Sequence, residues 1–97
     1  MSGGDWKQMF KAIQENDFEL VKYYLRLGID PNYQHPEYMA LPLAESMRYK
    51  NIEIAALLLN NGADPNITEM ESRRTPIEMA KQLNHQAFID LLHEHTK

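Results

Sequence analysis

The chain has 97 residues, of which 43% are hydrophobic and 25% charged, a composition that is typical of one folded domain and argues against disorder. The net charge of −4 disfavours nonspecific binding to nucleic acids or anionic membranes, since both require a basic surface. The chain contains no cysteine, which excludes disulfide bonds and thiolate chemistry and fits a reducing compartment, so we expect a cytoplasmic protein.

The first residues, 1–4, lack the apolar stretch of a secretory signal. We predict that they form a flexible tail and that residues 5–97 form a single domain. The longest apolar run, Ile54 to Leu59, is far shorter than the ~20 residues that span a bilayer, so we expect no membrane contact.

The first predicted unit covers residues 5–38 and consists of two short helices followed by a loop. Asp5 and Asp17 are the expected N-caps, because a carboxylate can accept a hydrogen bond from a free N–H of the first helical turn.

The second unit, residues 39–72, has a predicted first helix from Leu43 to Tyr49 and a second helix capped by Asn51. Gly62 ends the second helix because glycine adopts the left-handed backbone of a helix terminus without strain. Pro65 then prevents further helix.

The third unit, residues 73–97, opens with Thr75-Pro76-Ile77-Glu78, which is a capping box with proline at the first helical position. Its second helix ends in polar residues, as suits a solvated end of the domain. Few alternating β-branched runs occur in the chain, so we expect no sheet.

An internal repeat of 34 residues relates these units, since residues 28–32 (Gly-Ile-Asp-Pro-Asn) return as residues 62–66 (Gly-Ala-Asp-Pro-Asn). One helix pair cannot bury its apolar residues alone, so stacking of the units must supply the core. The same offset, without a gap, pairs Glu19 with Glu53, Leu25 with Leu59, Pro42 with Pro76, Leu57 with Leu91 and Leu58 with Leu92.

Two segments resemble ankyrin repeats. Residues 75–80 (Thr-Pro-Ile-Glu-Met-Ala) resemble the Thr-Pro-Leu-His-x-Ala start of a repeat, and residues 51–66 are similar to the second helix and Gly-Ala-Asp turn. The resemblance covers Asp5 to about Glu94. It implies an all-α ankyrin-repeat solenoid of three helix-turn-helix units with finger loops between them.

The sequence departs from the family pattern at several positions. The period of 34 exceeds the usual ~33, which implies one extra residue in each finger loop. Ala44 and Glu78 replace the histidine of the motif. Asn16, Lys50 and Asn84 stand where glycine is usual between the two helices, so we expect left-handed backbone there, with mild strain at Lys50.

The resemblance also implies where a partner binds: across the finger loops and the ends of the first helices. This set is richer in tyrosine, methionine, arginine and tryptophan than an ordinary surface, as interface cores are. The alternative is that single apolar residues of the set only pack their own loop on the neighbouring finger. The candidate residues are Trp6, Glu37, Tyr38, Met39, Arg48, Tyr49, Glu69, Met70, Glu71, Arg73, Arg74, Gln82 and Leu83.

Within this set we predict a central aromatic patch with one cation and an acidic border. The patch consists of Tyr38, Met39, Tyr49 and Arg74, and the border of Glu37, Glu69 and Glu71.

No motif in the chain predicts a catalytic residue, a cofactor or a metal site, and we expect none. His93 and His95 are two residues apart and therefore point to different sides of a helix. By the resemblance, His85 has a structural role at the start of the second helix. The basic pair 73–74 has acidic neighbours, which disfavours binding of nucleic acid.

The sequence therefore indicates a non-catalytic module that binds a protein partner, and we expect a monomer. Two alternatives remain open. One is a self-associating structural protein that forms a homodimer through the end bearing Trp6, Phe10 and Phe18. The other is an inhibitor or immunity-type protein that blocks one enzyme.

Overall fold

A computed structural model describes residues 3–96, which form six α-helices joined by turns and loops, without any β-strand. Met1, Ser2 and Lys97 lie outside the described residues, whereas Gly3 and Gly4 of the predicted tail belong to the first helix. The helices are α1 (Gly3–Gln14), α2 (Phe18–Arg26), α3 (Pro42–Arg48), α4 (Ile52–Asn60), α5 (Pro76–Gln82) and α6 (Gln86–Glu94).

The helices follow the 34-residue repeat and confirm the predicted all-α architecture. The second helices of the three units begin at Phe18, Ile52 and Gln86, and the first helices of units two and three begin at Pro42 and Pro76. The helix predicted from Leu43 to Tyr49 is therefore shifted by one residue at each end.

The helices are arranged in two rows. α1, α3 and α5 contact one another in succession, as do α2, α4 and α6, and each helix packs on the other member of its own unit. The core lies between the rows and passes without interruption through all units, with Leu58 and Ile54 of α4 and Met47 of α3 fully buried. Stacking thus buries the apolar residues, as the repeat requires.

Two of the predicted helix caps are formed as expected. The Asp17 carboxylate accepts a hydrogen bond from the backbone N–H of Leu20 at 3.2 Å. Thr75 and Glu78 form the full capping box before α5: the Thr75 hydroxyl accepts from the Glu78 N–H, and the Glu78 carboxylate accepts from the Thr75 N–H.

The other two predicted caps are wrong. Asp5 lies within the first turn of α1, because that helix already begins at Gly3. Asn51 precedes α4, but its side chain makes no cap hydrogen bond. Its Nδ2 instead donates to the backbone carbonyl of Ile13 at 2.9 Å, near the end of α1 in the neighbouring unit.

Removing the Thr75 hydroxyl should therefore weaken the start of α5. We expect Thr75→Ala to cost about 1 kcal/mol, or roughly 4–8 °C in melting temperature, measured by circular dichroism. Thr68→Ala is the matched control, since the Thr68 side chain lies exposed in a loop. Equal melting temperatures for Thr75→Ala and the control would contradict the capping role.

The difference in stability between wild type and Thr75→Ala should depend on pH. Hydrogen bonds from the Thr75 backbone N–H, and then from its hydroxyl, lower the pKa of Glu78. A carboxylate with a lowered pKa stabilises the fold above its unfolded pKa of about 4.3, and this stabilisation is lost as the pH falls through the folded-state pKa. The difference in free energy of unfolding between wild type and Thr75→Ala should thus become smaller below about pH 4.

Non-glycine residues adopt left-handed backbone at two repeat positions. Asn16, Lys50 and Asn84, between the helices of each unit, have φ values of 57°, 56° and 53°, as predicted. Met39 and Arg73 occupy the second position, with φ values of 53° and 61°. They lie in the finger loops, where the sequence did not indicate this conformation.

Candidate partner-binding groove

An open groove with a volume of about 730 Å³ lies between the first two units. Its walls come from α1, from α3 and from the two loops that we call finger one (residues 33–40) and finger two (residues 67–74). This is the face on which the resemblance places a partner. Its lining includes the side chains of Lys7, Phe10, Lys11, Gln14, Tyr38, Glu45, Arg48 and Glu71.

Aromatic side chains fix finger one against α1. The Trp6 ring stacks on Phe10, with centroids 4.8 Å apart, and on His35 at 5.4 Å, while Tyr33 and Tyr38 pack against it at 5.7 Å. Trp6 is therefore only 3% exposed. Although the sequence analysis named it as a partner-binding residue, it holds the loop in place and is not accessible from solution.

Tyr38 has both of the roles that the sequence left open. Its ring packs on Trp6 and Phe10, yet it remains partly exposed and lines the groove. The Lys7 ammonium lies 5.9 Å from the centre of this ring and 3.4 Å from the Glu37 carboxylate. Tyr38 thus packs finger one on α1 and also forms part of the groove surface.

An ion cluster with buried carboxylates lies at the base of the groove. Arg48 Nη1 donates to Glu45 Oε1 at 3.0 Å and to Glu69 Oε2 at 2.9 Å, and Arg48 Nη2 donates to Glu69 Oε1. Glu69 Oε2 also accepts from the Leu41 backbone N–H at 3.0 Å, and Gln14 Nε2 donates to Glu45 Oε2 at 2.8 Å. The cluster links unit one, unit two and finger two.

The carboxylates keep Arg48 charged. Burial lowers the pKa of Arg48, but hydrogen bonds and charge–charge attraction from Glu69 and Glu45 outweigh it, and the net effect raises that pKa. A guanidinium is protonated throughout the accessible pH range, so Arg48 carries its positive charge at any physiological pH.

Glu69 was predicted to border an exposed patch, but its side chain is 0% exposed. Its partners explain why. Leu41 occupies the cap position of α3 and offers no side-chain oxygen, and Ala44 stands where unit three has the glutamate of its capping box. Glu69 supplies the missing carboxylate to the Leu41 N–H. The absent capping box in unit two is the sequence signal that could have revealed this role.

The fingers are also joined to each other by hydrogen bonds. The Glu71 N–H donates to the Met39 carbonyl at 2.8 Å, and the Met70 N–H donates to Gln34 Oε1 at 2.8 Å. Gln34 Nε2 in turn donates to the Thr68 carbonyl at 3.1 Å. Because these hydrogen bonds connect finger one with finger two, the two loops form a continuous wall of the groove.

The other predicted partner residues are exposed. Tyr49 and Leu83 are related by the repeat and follow α3 and α5, and Tyr49 is 50% exposed. The exposed members of the predicted set, besides these two, are Glu37, Tyr38, Met39, Arg48, Met70, Glu71, Arg73, Arg74 and Gln82.

Metal and membrane features are absent from residues 3–96. No three histidine, aspartate or glutamate side chains in this range gather to hold a metal ion, and no helix in it is long and apolar enough to cross a membrane. His85 caps α6 through its Nδ1, which accepts from the Phe88 N–H at 3.4 Å.

Comparison with known proteins places this chain among longer relatives. It is 33% identical over 88 residues to the ARF GTPase-activating protein GIT2 of Mus musculus, which is 91% of this chain and 12% of that protein. It is 28% identical over 86 residues to the ARF GTPase-activating protein Git of Drosophila melanogaster, again 12% of that protein. The putative ankyrin repeat protein FPV222 of Fowlpox virus (strain NVSL) is 38% identical over 60 residues, 62% of this chain and 8% of that one.

No solved structure matches the chain significantly. The family model described as "Ankyrin repeats (3 copies)", however, matches residues 9–97. The match covers nearly the whole chain and agrees with the three stacked helix pairs of the structure. The protein therefore belongs to the ankyrin repeat family.

Proposed function

We propose that this protein is a non-catalytic module, acting in the cytoplasm as a monomer, that binds a protein partner through the groove and the finger loops. Ankyrin repeats generally mediate protein–protein interaction. The observation that carries the proposal is the open groove of about 730 Å³ between helices and fingers that are bonded to one another. An open groove suits a protein segment, whereas catalytic sites favour enclosed clefts.

The partner surface is proposed to extend from the groove towards unit three. Tyr49 and Arg74 are exposed, and neither side chain makes a hydrogen bond or ion pair that would occupy it within residues 3–96. Exposed tyrosine and arginine are enriched among the residues that dominate binding energy. Glu69 and Trp6 are left out of this surface because they are buried.

Self-association through the N-terminal end has less support. Trp6 and Phe10 are buried beneath finger one, so of the three aromatic residues proposed for that contact, Phe18 alone keeps appreciable exposure. The inhibitor alternative is a special case of protein binding. In the ARF GTPase-activating relatives, the matched region is one part of a much longer protein, which supports the proposal that it acts as a binding module.

We expect the double variant Tyr49→Ala with Arg74→Ala to weaken partner binding by about a thousandfold, since each truncation of a dominant interface residue costs ~2 kcal/mol or more. The partner is first captured from the source cell with the wild-type protein, and its affinity for each variant is then measured by calorimetry. The melting temperature should stay close to that of the wild type, because neither residue belongs to the core.

The matched control is Tyr23→Ala with Arg26→Ala, which removes the same residue types from exposed positions of α2. This control should bind the partner as the wild type does. Full binding by a folded Tyr49→Ala and Arg74→Ala variant would show that the partner uses another surface. Unfolding of that variant would instead show that the two residues are structural.

A further inference from the structure

We propose that Asn61 is a site of spontaneous deamidation and that the hydrogen bonds at the end of α4 control the rate of this reaction. Asn61 is the C-cap of α4 and is followed by Gly62, and both residues are exposed. The products carry aspartate or isoaspartate at position 61. The modification does not depend on partner binding, since neither residue lines the groove or belongs to the fingers.

The sequence singles out this asparagine. The chain contains seven asparagines, and Asn61 is the one that is followed by glycine. The others precede larger residues, whose side chains crowd the peptide nitrogen. Glycine has no Cβ and leaves its nitrogen accessible to the preceding side chain. Space is also available around Gly62, because apart from its chain neighbours no heavy atom of residues 3–96 lies within 4 Å of where a Cβ would be.

The reaction requires water and no other reagent. The Gly62 nitrogen forms a bond to Asn61 Cγ and loses its proton, and Asn61 Nδ2 leaves as ammonia, so that a cyclic imide remains. Water then breaks one of the two bonds between carbon and the imide nitrogen. Cleavage at Cγ gives aspartate, whereas cleavage at the main-chain carbonyl carbon gives isoaspartate. No atom is oxidised or reduced.

The folded geometry keeps the reacting atoms apart. The ψ angle of Asn61 is 21°, which places the Gly62 nitrogen close to the Asn61 nitrogen around the Cα–C bond and away from the Asn61 side chain. Asn61 Nδ2 donates to the Leu57 carbonyl at 2.8 Å, and the Gly62 N–H donates to the Leu59 carbonyl at 3.3 Å. Ring closure therefore requires that these bonds break and the end of α4 opens.

A turn of unit one opposes this opening. Asn32 Nδ2 donates to the Gly62 carbonyl at 2.9 Å, and Asn32 Oδ1 accepts from the Asp64 N–H at 2.7 Å. The Ala63 N–H also donates to the Leu58 carbonyl at 2.9 Å. Local opening of a helix end costs less free energy than global unfolding. The rate of deamidation should thus follow the local stability of the turn after α4.

Deamidation would weaken the connection between units one and two. A carboxylate at position 61 cannot donate to the Leu57 carbonyl, and negative charge is unfavourable at the C-terminal end of a helix. Isoaspartate adds one carbon to the main chain before Gly62, which displaces the carbonyl that binds Asn32. Unit one has Leu27 at the equivalent position and cannot react there. The stability of the domain should therefore decline with the age of the molecule.

The test follows the full chain during incubation at physiological temperature and mildly alkaline pH. Mass spectrometry of proteolytic peptides measures asparagine, aspartate and isoaspartate at each position, and we expect conversion at Asn61. Asn61→Gln should abolish this conversion, because the longer side chain closes a ring far more slowly. Asn66→Gln, at an exposed asparagine of the next turn, is the matched control and should leave it unchanged.

A second pair of variants tests the control of the rate. Asn32→Ala removes the bonds to Gly62 and Asp64 and should accelerate conversion at Asn61 by at least about fivefold, the factor for one net hydrogen bond of about 1 kcal/mol. Thr75→Ala weakens the start of α5 by a similar amount, but α5 lies in another unit. It should leave the rate at Asn61 unchanged.

Three results would overturn the inference. The first is complete retention of the Asn61 amide in the folded wild type after a urea-unfolded sample has been fully converted. The second is equal conversion at Asn60 and Asn61, which would remove the role of Gly62. The third is equal acceleration by Asn32→Ala and Thr75→Ala, which would show that global unfolding and not opening of the α4 end controls the reaction.

Discussion

Arg48→Met should destabilise the protein by about 3–5 kcal/mol, because it leaves the buried Glu69 carboxylate without its cation. Domains of this size have a total stability of ~5–15 kcal/mol, so the variant should lie near the limit of folding. Urea unfolding followed by circular dichroism measures the loss. Arg73→Met, which truncates an exposed arginine, should change the stability by less than about 0.5 kcal/mol.

A second variant identifies the unpaired charge as the cause. Adding Glu69→Gln to Arg48→Met should restore part of the stability, because the amide carries no charge and its oxygen can still accept from the Leu41 N–H. If the double variant is no more stable than Arg48→Met, loss of packing by the arginine stem is the better explanation.

Leu58→Ala should cost about 2–5 kcal/mol, the range for truncating a buried leucine when its surroundings cannot collapse. Leu58 is fully buried on α4, the middle helix of its row, which contacts both α2 and α6. Chemical unfolding measures the effect, and Leu27→Ala, at an exposed leucine that caps α2, provides the control. A melting temperature within a degree or two of wild type for Leu58→Ala would contradict the burial of this residue.

The fold was predictable wherever its signals are local or periodic. Asp17 and Thr75 cap the helices that follow them, and Lys50 adopts the left-handed backbone expected at its repeat position. Asn51 shows where such reasoning ends. It has the residue type and position of a cap, yet its amide donates to the Ile13 carbonyl, which also accepts from the Asn16 N–H at the end of α1. That choice depends on the neighbouring unit, which local sequence does not describe.

The sequence predicted the positions of the site residues better than their solvent exposure. Tyr49 is exposed directly after α3, and Arg74 is exposed at the end of finger two, just before the N-cap of α5. Trp6 is buried because finger one packs on it, and Glu69 is buried because finger two places its carboxylate against the Leu41 N–H and Arg48. The loop conformation depends on Met39 and Arg73, whose positive φ values are unusual for these residue types and had no sequence signal.

Because the Glu69 carboxylate accepts from the Leu41 N–H at the start of α3, the repeats are not interchangeable. Unit three carries its own capping box, so an engineered unit appended to it need not provide an acidic side chain for α5. Any loop grafted after α4 in place of finger two has to contribute both a residue that accepts from the Leu41 N–H and a counter-charge for Arg48. Shuffling or duplicating repeats of this protein should therefore succeed or fail according to their order, even though their second helices begin at equivalent positions of the repeat.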